Sequence, residues 1–246
     1  MTSTARVRPM RAEDLPYVVA EHQRSLPDGV YPRLGARFLH AYHSAYLTST
    51  GTAALIGELG GQSVGFVTGV ISGAAHQSAM RQAWPRLAAT GVLALLQRPA
   101  MIAQVLPARS AIGYLRRSAR LLGAGSTDIV TGVRTGILTY LAVTPSARGH
   151  GVGDALIDAF LCRAQAAGCA KVTLATQQGP KGAEQFYTGR GWTREGLLHT
   201  SQGRPLVVMA WTWPSPPDQT KSARSQEREK ASQRLQAPAP PSASSA

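Results

Sequence analysis

The chain has 246 residues, a formal charge of +13 and 43% hydrophobic side chains. That length fits one domain with appendages and a sizeable core, and its 25 glycines and 16 prolines are too scattered for a collagen-like or wholly disordered polymer. Two cysteines, Cys162 and Cys169, cannot build a disulfide scaffold and lack the spacing of a zinc site, so we expect no metal and a reduced, cytoplasmic setting. The positive excess draws anions: nucleic acid, an acidic membrane surface or a polyphosphate. Nucleic acid fits worst, because aromatics are only 6%, with no stacking platform and no evident recognition helix.

The N-terminus, MTSTARVRPMRAED, has no apolar signal core. ARVRPM (5–10) predicts a short strand. Residues 12–24 predict a helix with Leu15, Val18, Val19 and His22 on one face and Pro16 tolerated in the first turn. LPDG (26–29) is a turn. Residues 34–47 predict a second helix, apolar at Leu34, Phe38, Ala41, Tyr42, Ala45 and Tyr46. TAALIGEL (52–59) and QSVGFVTGVI (62–71) read as strands, joined at Gly60-Gly61 by a two-residue hairpin signal.

Residues 74–127 form an insertion with helical apolar spacing. It holds seven arginines (Arg81, Arg86, Arg98, Arg109, Arg116, Arg117 and Arg120) and no carboxylate, which favours an anionic neighbour. Pro85, Pro99 and Pro107 divide it into two or three short helices. Residues 87–106 approach the length of a membrane span, but Gln97-Arg98-Pro99 would sit at its centre, which excludes a single spanning helix. Its apolar stripe (Trp84, Leu87, Val92, Leu95, Leu96, then Met101 to Leu106) can be satisfied in three ways. It can pack on the domain, form a homodimer face, or lie on a membrane surface with arginines snorkelling to headgroups.

GILTYLAVT (136–144) is a strand apolar on both faces. After PSARGHGVG, residues 152–167 predict a helix with Val152, Ala155, Leu156, Ala159 and Phe160 inward and Gly168 as its stop. KVTLAT (171–176) is a buried strand, 180–188 a short helix, and 192–196 and 205–213 the closing strands. From Pro214 the chain has almost no large apolar residue, which predicts a disordered tail over 214–246. This order gives an α/β fold, a mixed sheet with helices on both faces and a domain over 1–213.

The segment Arg148-Gly149-His150-Gly151-Val152-Gly153 joins a strong strand to a strong helix. Glycines there let backbone approach a ligand, and the first N–H groups of the helix lack intrahelical acceptors. Together with the helix dipole they suit an anion such as a diphosphate, with Arg148 adding charge at the rim. Neither a Walker loop nor a dinucleotide fingerprint is present. An ordinary tight turn would look the same in isolation.

The surroundings add to it. LAVTPSARGHGVGDALIDAF, KVTLAT and GAEQFYTGRGW, taken together, resemble the GNAT superfamily of acetyl-CoA-dependent N-acetyltransferases. Arg148-x-x-Gly151-x-Gly153 matches its pyrophosphate signature, Phe186-Tyr187-x-x-x-Gly191-Trp192 its aromatic ending, and RPMRAEDLPYV its first strand and helix. The resemblance covers roughly Val7 to Trp213 apart from the insertion. It implies a mixed, mostly antiparallel sheet splayed between two strands. It implies acetyl-CoA as co-substrate, with its pantetheine arm on backbone groups of Leu141, Ala142 and Val143 and its diphosphate on residues 148–153, including Gly149 and His150. It also implies Tyr187 as proton donor to the departing thiolate, against a plain packing role beside Phe186. Where many members carry an Asn, this chain has Pro180, with Gln177 or Gln178 as substitutes. No carboxylate lies in strand 136–144, so the base is Tyr140 or a water held by His22, His43, Glu58 or Asp128. The implied partner is a small-molecule amine, carrying phosphate or carboxylate if the insertion's arginines frame its entrance. The competing reading is a non-catalytic module that binds CoA or a protein partner and keeps the fold.

Overall fold

A computed structural model describes residues 4–27, 29–97, 134–179, 183–200 and 203–213. In chain order the elements are β1 (Arg6–Pro9), α1 (Leu15–Ser25), α2 (Val30–Arg33), α3 (Ala36–Thr48), β2 (Thr52–Leu59), β3 (Gln62–Val70) and α4 (Gly73–Gln97). There follow β4 (Thr135–Val143), α5 (Val152–Ala166), β5 (Lys171–Gln177), α6 (Glu184–Thr188), β6 (Thr193–His199) and β7 (Pro205–Thr212). The seven strands form one sheet in the order β1-β2-β3-β4-β5-β7-β6. Every pairing is antiparallel except β4 with β5. The mixed, mostly antiparallel sheet expected from the resemblance is the one found.

Helices cover both faces, and strand register shows why. Ile56, Phe66 and Ala142 are cross-strand partners whose side chains share one face with Val18 of α1 and Met10. Tyr42 and Tyr46 of α3 and Leu87 of α4 extend that core over Val70 and Ile137. One residue along, Gly57 and Gly65 turn to the opposite face, beneath Val152 and Leu156 of α5. A Cβ on Gly69 would lie 2.4 Å from both the Ile137 carbonyl oxygen and Phe160 Cε2. The bare backbone of these strands is therefore what lets α5 sit close to the sheet.

Several sequence expectations change. The first helix opens with a 3-10 turn over Ala12–Asp14, so the α-helix proper begins at Leu15. The turn after it holds an extra helical turn, α2, and the second long helix starts at Ala36 rather than 34. Pro85 does not split the insertion: α4 runs through it. Its missing N–H and ring clash affect one turn, and packing of Leu87 against Phe38 and Tyr42 holds the next. The parts of the insertion at 98–127, Asp128, Pro180 and the tail from Pro214 lie outside the described residues. Glu58, named above as a possible holder of the water, is only 15% exposed and accepts from Arg8 Nε at 2.6 Å. Arg8 also grips both carboxylate oxygens of Asp14 at 2.7 Å, lowering that carboxyl's pKa and tying β1 to β2 and α1.

Gly69→Ala forces a methyl into backbone and a buried ring. We expect a loss of about 3 kcal/mol of stability, read from the urea midpoint, whereas Gly61→Ala, facing open space, should lose about 1 kcal/mol for its left-handed φ alone.

Candidate active site

The sheet opens beside β4. Its parallel pairing with β5 covers only Thr135–Ile137 against Lys171–Thr173. Beyond that, β5 continues to Gln177 paired to β7, and β4 continues to Val143 paired to β3. The backbone of Leu138–Val143 thus faces a gap on its β5 side, and burial follows: Thr135–Leu138 are buried, while Thr139, Tyr140, Leu141 and Val143 are half-buried. The expectation that this strand is buried on both faces holds only for its first half. Past Ile137 the neighbouring strand is no longer there to cover it.

The gap leads to the glycine turn. Gly149 and Gly151 hold φ of 78° and 74°, the left-handed region that glycine alone enters without strain. Gly151 is the N-cap of α5 and offers no side chain to the first-turn N–H groups of Val152, Gly153 and Asp154. A Cβ on Gly149 or Gly151 would meet nothing within 4 Å, so the outer side of the turn is open. Arg148 Nε donates to the Val143 carbonyl at 3.1 Å, and His150 Nδ1 lies 3.0 Å from the Arg148 carbonyl, which braces the turn onto the end of β4. Val152 is buried under Gly57, and Gly153 lies against the Phe186 ring. The donor set, unfilled N–H groups with a helix dipole and an exposed arginine, fits the diphosphate of acetyl-CoA.

Tyr187 packs edge-on against Phe186 (5.2 Å between centroids) and Trp192 (5.4 Å). Burial raises the pKa of its phenol, which keeps the proton in place through neutral pH. Tyr140 lies over the other side of the sheet, its ring 4.4 Å from His22 and 6.0 Å from His43. Leu141 and Val143 are half-buried, and Ala142 is in the core with Phe66. Gln177 ends β5, and the N–H of Gln178 donates to the Pro205 carbonyl at 3.3 Å.

His22 and His43 are wholly buried and bonded to each other, Nδ1 to Nε2, at 2.8 Å. Desolvation lowers their pKa values to about 4 and about 3, so both are neutral at pH 7. Sequence reasoning passed over Glu21. It is 1% exposed and accepts from Thr144 Oγ1 at 3.0 Å, and from Arg24 and Ser25, at the end of β4. Its position one residue before His22, on the buried face of α1, was the available signal.

The Acetyltransferase (GNAT) family matches residues 21–192, well over half of the chain, and the protein belongs to that family. It is an acetyltransferase using acetyl-CoA as co-substrate. No curated protein matches the chain. Among solved structures it is similar in fold to Ard1 from Thermoplasma volcanium (16% identity, TM-score 0.52, 86% of this chain and 99% of that one). A ribosomal-protein-alanine N-acetyltransferase from Brucella melitensis is comparable (14%, 0.52, 85% and 99%), as is an aminoglycoside 6'-acetyltransferase type Ii (13%, 0.51, 86% and 99%). At these identities the likeness is one of fold. Among the described residues no helix is long and apolar enough to cross a membrane, and no cluster could hold a metal ion.

The histidine pair sets an acid limit. Above pH 6.5 neither folded nor unfolded chain protonates it. As pH falls below 6.5 the unfolded chain takes protons that the folded one refuses until about pH 4, so stability declines across that window. His22 alone should account for on the order of 3 kcal/mol. Urea midpoints from pH 7 to pH 4.5 should fall, and the slope should flatten in His22→Asn.

Proposed function

We propose that this acetyltransferase moves an acetyl group from acetyl-CoA directly to a primary amine of a small acceptor of the amino sugar or amino acid type. The observation that supports this is the parting of β4 from β5 after Ile137, with the open glycine turn at the far end of β4 and half-buried Tyr140 along it. Acetyl-CoA supplies the thioester. The chain's residues do the rest by holding and orienting. N–H groups of residues 152–154 and Arg148 hold the diphosphate. Backbone groups of Leu141, Ala142 and Val143 align the arm, and N–H groups along this edge polarise the carbonyl where negative charge develops. Ordered approach of amine to thioester supplies much of the acceleration.

Tyr187 is the proton donor to the sulfur. Its raised pKa keeps it protonated until the thiolate needs it. The amine's proton passes to Tyr140 or to a water beside it. His22 and His43 are poor candidates, since their depressed pKa values make them weak bases at pH 7. Glu58 serves Arg8 instead. The acceptor carries a phosphate or carboxylate in this reading. Support comes from exposed Arg81 and Arg86 on α4 and from Arg24, whose guanidinium reaches Thr144 Oγ1 at 3.3 Å at the end of β4. α4 also exposes Trp84, Val92 and Leu96, which supports a further contact, with a second copy or a membrane surface, through the insertion.

Thiol release from acetyl-CoA should appear with anionic amino sugars and amino acids ahead of cationic polyamines; the reverse order defeats the acceptor class. Tyr187→Phe should lower kcat by roughly 10²-fold with calorimetric CoA affinity unchanged. Gly151→Ala should weaken CoA binding at least about tenfold by straining the turn that holds the diphosphate.

A further inference from the structure

The first turn of α5 carries a charge that does not suit an anion site. Asp154 is the third residue of the helix, and its backbone N–H is one of those proposed above to hold the diphosphate. A carboxylate in a first turn is favoured by the helix dipole on its own. Beside a bound diphosphate it adds negative charge to negative charge, and the two oppose each other.

The chain answers this charge from the end of α6. Arg190 Nη2 pairs with Asp154 Oδ1, an oxygen closed off from water. The same guanidinium lies over the Phe186 ring, 3.8 Å from its centroid, and its Nη1 donates to the Phe186 carbonyl at 3.1 Å. Phe186 in turn lies against Gly153, where a Cβ would stand 3.3 Å from the ring. The Arg190 backbone N–H donates to the Tyr187 carbonyl at 2.9 Å. At the other end of α6 the Ala183 N–H donates to Thr176 Oγ1 of β5 at 3.0 Å. A helix of five residues is not stable by itself, so these outside contacts decide where Tyr187 sits.

We propose that Arg190 is a positioning residue for acetyl transfer: it neutralises Asp154 beside the coenzyme's diphosphate and clamps α6, with Tyr187, to the first turn of α5. It acts on the coenzyme through Asp154 and on Tyr187 through Phe186. The inference rests on the glycine turn being the diphosphate site, as proposed above.

Arg190→Gln removes the charge and the stacked guanidinium. Calorimetric CoA affinity at low salt should fall roughly tenfold, because Asp154 is left facing the diphosphate, and the loss should shrink as salt is added. Asp154→Asn in the same chain should bring affinity back to within about twofold of the unmodified protein, a rescue that also shows the variant is folded and that a merely structural arginine would not give. Amide hydrogen exchange at Phe186, Tyr187 and Thr188 should rise roughly tenfold in Arg190→Gln and stay raised in the double variant. In both, kcat for thiol release from acetyl-CoA with the best amino sugar acceptor should fall roughly tenfold. Failure of Asp154→Asn to restore CoA affinity overturns the proposal, as does unchanged exchange at these three amides. If Gly151→Ala weakens CoA binding and Arg190→Gln does not, the diphosphate turn stands and the Arg190 clamp fails. If neither substitution alters CoA binding, the diphosphate lies elsewhere and both readings fail.

Discussion

The structure depends on two strands that begin as neighbours and do not stay so. β4 and β5 share a ladder for three residues and then part, each still paired on its far side. Backbone N–H and C=O groups along the free edge must find partners, since leaving them unpaired away from water costs free energy comparable to a lost hydrogen bond. In the reading proposed above, an extended coenzyme arm with its own amides lies along this edge and is recognised mainly by main chain.

The rest of the fold holds that opening in shape. α5 lies on glycines of β2 and β3, so its N-terminus is presented at the end of β4. Arg148 and His150 brace the turn between them through main-chain carbonyls. On the opposite face the buried rings of α1 and α3 press on Tyr140, and Glu21 fastens the strand's last residues through Thr144. Little of this uses charge at the centre. The neutral His22–His43 pair and the raised phenol of Tyr187 both follow from desolvation.

Family membership assigns the class of reaction and the donor, while the similar solved structures, at 16% identity or less, speak only for the fold. The acceptor rests on this chain's own features. Those are Arg24 at the end of β4 and the exposed arginines of α4, a 25-residue helix that places Leu87 in the core while leaving Trp84 and Leu96 outside. A helix amphipathic in this sense packs on its domain and still offers an apolar face elsewhere.

Local pattern alone located most elements. Alternation and apolar runs placed β2, β3, β4 and β5 to within a residue or two, and the inward faces of α1 and α3 followed from helical spacing. The glycine turn was legible because left-handed backbone demands glycine wherever it occurs. Other features depended on contacts between distant segments, which a linear pattern does not carry. α4 continues through Pro85 because Leu87 is held by α3. Glu58 is held out of solvent because Arg8, fifty positions earlier on the neighbouring strand, donates to it. A β-bulge at Thr139 arises from strand register. The sequence by itself therefore determined the elements and the glycine turn, through backbone conformation and periodicity. Only tertiary structure decided where β4 parts from β5, because that separation is a relation between two strands and belongs to neither alone.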